Sequence, residues 1–148
     1  MTEVREFLPE DFDAAYRLDQ ACYPPGIAYS RHALGEFLTL PGARAWVAEG
    51  EGALVAFVIV RKTGKARGHV ITLDVREDRR RRGVGSMLLS TAENWLASEG
   101  VRRMRLETAV NSSTALVFWE KMGYQAVGVL RRYYLDRDDA YRMEKDLA

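Results

Sequence analysis

Arg80-Arg81-Arg82-Gly83-Val84-Gly85-Ser86 is the stretch on which the reading of this chain turns. It follows a strand-like run ending near Val75 and opens a helical run in which Val84, Met87, Leu88, Ala92, Trp95 and Leu96 recur at helical spacing, closed by Gly100. A strand, a glycine pair and a helix start together make a cradle for phosphate. Free N–H groups at a helix N-terminus point at an anion, and the helix dipole favours its charge. Close approach of the chain requires residues without a Cβ, hence Gly83 and Gly85. The arginines add charge-assisted contacts. The same letters also admit a plainer reading, a tight turn beside solvated arginines. The spacing is not that of a dinucleotide-fold loop, and no Gly-Lys-Ser or Gly-Lys-Thr of a Walker loop follows.

Working outward, Val4 to Phe7 reads as a first strand, and Pro9-Glu10-Asp11 opens a helix with Phe12, Ala15, Leu18 and Cys22 on one face. Tyr23-Pro24-Pro25-Gly26 stops it. Ser30 caps a second helix carrying Leu34, Phe37 and Leu38, ended by Pro41-Gly42. Ala43 to Glu49 and Ala53 to Lys62 form a hairpin around Gly50-Glu51-Gly52, and His69 to Val75 is a further strand. Beyond the glycine loop and its helix come a strand from Arg103 to Thr108 and a helix marked by Ala115, Leu116, Trp119 and Met122 and closed by Gly123. Strands from Tyr124 to Arg132 and Ala140 to Leu147 complete the chain. The order β-α-α-β-β-β-α-β-α-β-β predicts one mixed α/β domain over residues 1–148.

At 148 residues the chain can bury a full core without staples. Lys and Arg number 22 against 21 Asp and Glu, a net charge of +1, which argues against a general nucleic-acid binder. Clustered arginines in a neutral chain suggest one anionic group held at one place. A single cysteine, Cys22, allows no intramolecular disulfide, and one Cys with two His argue against a metal site. The start shows no signal-peptide pattern, and the longest apolar run, Ala53 to Val60, is too short for a bilayer. The expectation is a cytoplasmic protein without a membrane anchor.

The glycine loop resembles the Arg-or-Gln-x-x-Gly-x-Gly-or-Ala element of the GNAT superfamily of N-acetyltransferases. Asn111-Ser112-Ser113-Thr114-Ala115 through Tyr124 resembles the fourth-helix motif of that family. The resemblance covers nearly the whole chain. It implies a single-domain GNAT fold, a mixed central sheet of about seven strands flanked by four helices, and acetyl-CoA as co-substrate. It implies that Leu73, Asp74 and Val75 offer main-chain groups to the pantetheine arm. The diphosphate would lie on Arg80, Arg81, Arg82, Gly83, Val84, Gly85 and Ser86. Asn111 or Ser112 would contact the arm; Asn111 stands one place before the usual asparagine. At the position of the family's usual general-acid tyrosine stands Trp119, whose indole donates a hydrogen bond but no proton, and which reads better as core.

The tail from Arg131 through Tyr133-Tyr134 to Leu147 resembles protein N-terminal acetyltransferases, including the ribosomal-protein-alanine type, where a tyrosine pair lines the peptide slot. Tyr23-Pro24 resembles the aromatic-proline turn on the opposite wall. The implied substrate is a peptide or protein N-terminus. Chemistry suits it: near pH 7.5, deprotonating an α-amine costs about 0.7 kcal/mol against about 4 for lysine. Two residues are candidates for removing the proton. Glu107 occupies the position of the general base in the ribosomal-protein-alanine enzymes, and as a solvated carboxylate it is a feeble base unless partly buried. His69 stands where one eukaryotic subgroup places a catalytic tyrosine. The rival readings are an acetyltransferase for small amines and a non-catalytic CoA- or RNA-binding module. The oligomeric state is left open.

Overall fold

A computed structural model describes residues 2–147. The strands are β1 (Thr2–Glu6), β2 (Ala43–Gly50), β3 (Ala53–Lys62), β4 (Arg67–Val75), β5 (Arg103–Ala109), β6 (Gln125–Tyr134) and β7 (Asp138–Asp146). The helices are α1 (Phe12–Cys22), α2 (Arg31–Thr39), α3 (Val84–Ser98) and α4 (Ser113–Lys121). The seven strands form one sheet in the order β1-β2-β3-β4-β5-β7-β6, antiparallel throughout except for the parallel β4–β5 pair. The element order is the one expected, with boundaries displaced by a residue or two. Among the described residues no helix is long and apolar enough to cross a membrane.

Alternation along the strands assigns each face its layer. Trp46, Ala48, Val58 and Val60 pack with α3 residues Leu88, Leu89, Ala92 and Leu96, while Ala45, Val47, Phe57 and Ile59 pack with Ala15, Leu18 and Leu34 of α1 and α2. At about 25 cal/mol per Å² of apolar surface, each buried leucine or phenylalanine contributes roughly 1.5–3 kcal/mol, which makes this two-sided burial the main force holding the sheet. Ser30 does cap α2: its Oγ accepts the Ala33 N–H at 3.1 Å.

Two irregularities open the sheet where chemistry can occur. The parallel pairing of β4 with β5 runs only from Arg67↔Arg103 to His69↔Arg105, after which the strands part. Opposite that parting, β4 carries a bulge: Val60 pairs with Val70 and Ile59 with Thr72, so Ile71 is the extra residue. The Arg76 N–H binds the Val55 carbonyl at 2.8 Å. Alternation along an antiparallel ladder then turns the main chains of Asp74 and Thr72 toward β3, and those of Leu73 and Val75 toward the gap.

Candidate active site

His69 and Glu107 bridge the point where β4 and β5 separate. The paired register puts His69 and Arg105 on one face of the sheet, and Glu107 lies two residues further along on that face. His69 Nε2 and Glu107 Oε1 are 2.7 Å apart, and Arg105 Nη1 donates to Glu107 Oε2 at 3.0 Å. The Glu107 side chain is only 10% exposed, so it is not one of a row of solvated carboxylates. Burial pushes its pKa up, but the His69 hydrogen bond and charge, followed by Arg105, outweigh that and hold the carboxyl below its usual range. An ionised carboxylate bonded to one nitrogen of an imidazole orients the ring and leaves Nδ1 for the amine or a water.

Two tyrosine-bearing segments approach this pair. On the C-terminal side β6 bulges between Leu130 and Tyr134, with Arg132 at φ 52° and its N–H held by Asp139 Oδ1 at 2.9 Å. The bulge brings the Tyr134 hydroxyl to the Glu107 carbonyl at 3.4 Å, and Tyr133 packs edge-on against Tyr134 with ring centroids 4.9 Å apart. Burial raises the Tyr134 phenol to about 12 and pushes Tyr133 upward as well. Both therefore keep their protons at neutral pH.

On the other side, the loop between α1 and α2 presents two half-buried tyrosines. The Tyr23 phenol lies against Thr72 and is pushed well above its usual range, chiefly by burial. Pro24 is exposed at the start of the turn, its carbonyl accepting the Ile27 and Ala28 N–H groups. Tyr29 also reaches the gap, its hydroxyl donating to the Ile71 carbonyl at 3.3 Å, on the strand edge that the bulge exposes. Nothing in the periodicity marks Tyr29; the one cue is its place just before the Ser30 cap.

The glycine loop has the geometry that anion binding requires. Gly83 sits at φ 80°, a conformation that strains other residues, and Gly85 is packed so that a Cβ there would lie 3.3 Å from the Phe118 ring. Arg81 also adopts a positive φ of 64°. Val84, Gly85 and Ser86 form the first turn of α3, whose N–H groups have no acceptor within the helix. Arg80 Nε donates to the Val75 carbonyl at 3.0 Å, and Arg80, Arg81 and Arg82 are all exposed. Leu73 and Val75 turn main-chain groups into the gap, but Asp74 does not. Its main chain faces β3 and its side chain is buried at 1% exposure, so the expected contact of Asp74 with a pantetheine arm has no exposed group to make it.

Asn111 is exposed beyond the end of β5, and Ser112 is the residue from which α4 starts. Trp119 is buried among Phe118 and Tyr124, at ring-centroid distances of 5.0 and 5.5 Å, as a core residue. Among the described residues no three His, Cys, Asp or Glu side chains converge as metal ligands would.

The fold has counterparts among known proteins. The profile of the acetyltransferase (GNAT) family matches residues 12–124. The chain belongs to the acetyltransferase (GNAT) family. It is an acyltransferase of the N-acetyltransferase type. The N-alpha-acetyltransferase of Sulfurisphaera tokodaii is 30% identical over 97% of this chain and 92% of its own length. The structure of Ard1 from Thermoplasma volcanium superposes with a TM-score of 0.90 at 25% identity, covering 99% of this GNAT chain and 98% of that one. The ribosomal-protein-S18-alanine N-acetyltransferase from Escherichia coli shares the fold at a TM-score of 0.88 and 22% identity, covering 100% and 95%.

Proposed function

We propose that this GNAT chain transfers the acetyl group of acetyl-CoA directly to the α-amine at the N-terminus of a protein. The observation that carries the reading is the His69–Glu107 pair at the β4–β5 parting, flanked by Tyr29 on one side and Tyr133-Tyr134 on the other. The similarity to an N-alpha-acetyltransferase over nearly the whole chain supports it.

Acetyl-CoA supplies an activated thioester. In this reading its diphosphate lies on the amides from Arg81 to Ser86, with Arg81 and Arg82 as cationic contacts and Asn111 or Ser112 beside the arm. The pantetheine pairs with the free edge of Leu73 and Val75, and the Val75 N–H lies where a developing oxyanion needs a donor. The amine proton passes to His69, directly or through one water, while Glu107 steadies the imidazolium that forms. That assignment separates the roles of the two candidates. Glu107, held low by His69 and Arg105, is a poor base alone and a good partner for a base. The amine nitrogen bonds to the carbonyl carbon, the C–S bond breaks, and CoA leaves as a thiolate or takes a proton from Tyr134. Trp119 supplies none.

The test is a thiol-release assay with acetyl-CoA and three amine sets: peptides with free N-termini, lysine peptides with blocked N-termini, and small amines. Turnover confined to the free N-termini is the expected result. Turnover only on small amines moves the substrate to that class, and CoA binding without turnover on any amine overturns the enzymatic assignment of the site.

A further inference from the structure

Behind the amine-side wall, on the α1–α2 face of β4, lie two carboxyl groups that the reaction does not use. Asp19 is 0% exposed and Asp74 1%. Each has one oxygen with a clear partner: Asp19 Oδ2 accepts the Tyr29 N–H at 2.7 Å, and Asp74 Oδ1 accepts the Thr72 hydroxyl at 2.6 Å. Each has a second oxygen, Asp19 Oδ1 and Asp74 Oδ2, that is buried with no hydrogen-bond partner. Two ionised carboxylates in that position would leave both oxygens desolvated and repelling, at a cost the fold could not absorb. The carboxyl groups are within hydrogen-bonding reach of one another, and that contact requires a proton between them.

The geometry points to a carboxyl–carboxylate clasp, in which Asp19 and Asp74 share one proton and thereby fasten the tyrosine-bearing loop between α1 and α2 to the strand that borders the acetyl-transfer gap. Asp19 and Asp74 are thus positioning residues: through the Tyr29 N–H the clasp sets where Tyr29 stands. The groups facing it are Tyr23 and Tyr29 from the loop, Cys22 from the end of α1 and Arg80 from the loop before α3. Burial and Asp74 raise the Cys22 thiol to about 11, so it stays neutral; Arg80 is the one cation of the set, and its guanidinium is already bonded to the Val75 carbonyl. Burial and the neighbouring Asp19 push the Asp74 carboxyl well above its usual range. A raised carboxyl stabilises the fold fully below its ordinary pKa and loses that contribution as pH climbs through the raised value. Rising pH, through that raised value, therefore takes the clasp proton and loosens the wall.

The positional claim rests on reading this loop as the amine-side wall; the shared proton does not. The infrared spectrum of the unmodified enzyme at neutral pH should carry the carbonyl stretch of a protonated, buried carboxylic acid, absent in both Asp74→Asn and Asp19→Asn. No such band in the wild type overturns the proposal. In Asp74→Asn the amide keeps an acceptor for Thr72 and offers Asp19 an N–H without a titrating proton. Its melting temperature relative to wild type should rise with pH, by about 2–4 °C for each kcal/mol gained. A difference independent of pH overturns the proposal, and Asp19→Asn provides the same comparison if Asp74→Asn does not fold. Asp19→Ala, which frees the Tyr29 N–H, should raise KM several-fold for whichever amine the assay turns over, with CoA affinity retained. An unchanged KM overturns the positioning role. The infrared and melting measurements use no amine, so they stand whether or not the natural acceptor is a protein N-terminus.

Discussion

Two buried glutamates lie on opposite faces of the same sheet region, and their partners divide structure from chemistry. Behind the sheet, Glu93 on α3 receives Lys145 Nζ at 2.8 Å and the Tyr124 hydroxyl at 2.7 Å, in a closed site beneath the fully buried Tyr124 ring. In front, Glu107 on β5 receives Arg105 and shares a hydrogen bond with His69 beside a gap in the sheet. The rear pair, beneath Tyr124, is an electrostatic rivet, whereas the front pair joins a carboxylate to an imidazole beside an open strand edge. A hydrogen-bonded carboxylate is common to both; what differs is the partner, ammonium or imidazole, and access.

Substitutions can separate the two. His69→Phe should lower kcat/KM by about 10²–10⁴-fold, the usual worth of a positioned base, without a matching change in melting temperature. Equal activity in the variant would remove the distinction drawn here. Lys145→Met should do the reverse, destabilising by about 3–5 kcal/mol because Glu93 is left buried without its cation, while the rate per folded molecule is retained. Chemical denaturation paired with activity measurements reads both effects.

Acid titration sharpens the contrast. The Glu107 carboxyl is held below its ordinary value, so the folded chain binds fewer protons there than the unfolded chain. Its stabilising contribution is present above the ordinary carboxylate pKa and is lost as pH falls through the lowered one. Glu107→Gln should therefore flatten the acid limb of the stability–pH curve and lower activity less than His69→Phe does. A steeper acid limb in the variant would contradict this. At the glycine loop, Gly83→Ala should cost roughly 1–2 kcal/mol from its left-handed backbone and weaken CoA binding, seen by calorimetric titration. The smallest effect belongs to Trp119→Phe: a modest loss of stability with catalysis retained, since its ring packs in the core.

How far the sequence reached differs between these regions. The glycine loop was legible because its requirement is local: a helix start, a positive φ and a missing Cβ are properties of a few consecutive residues. The same holds for the Ser30 cap. The pairing of His69 with Glu107 was not legible, although both residues were candidates, because 38 positions separate them and only the β4–β5 register joins them. The contact of Tyr29 with the Ile71 carbonyl was not legible either, because it depends on how the loop docks on the bulge of β4. The direction of the Asp74 main chain was not legible, because its pairing with β3 decides it.

The sequence by itself determined the order of elements and the position of the glycine-started helix, since periodicity, caps and glycines act over a single turn or strand. Tertiary structure alone decided where β4 and β5 part, which carboxylate meets lysine and which meets histidine, and that Asp19 meets Asp74. Those outcomes depend on register and on distances between residues far apart in the chain, and no local propensity encodes either.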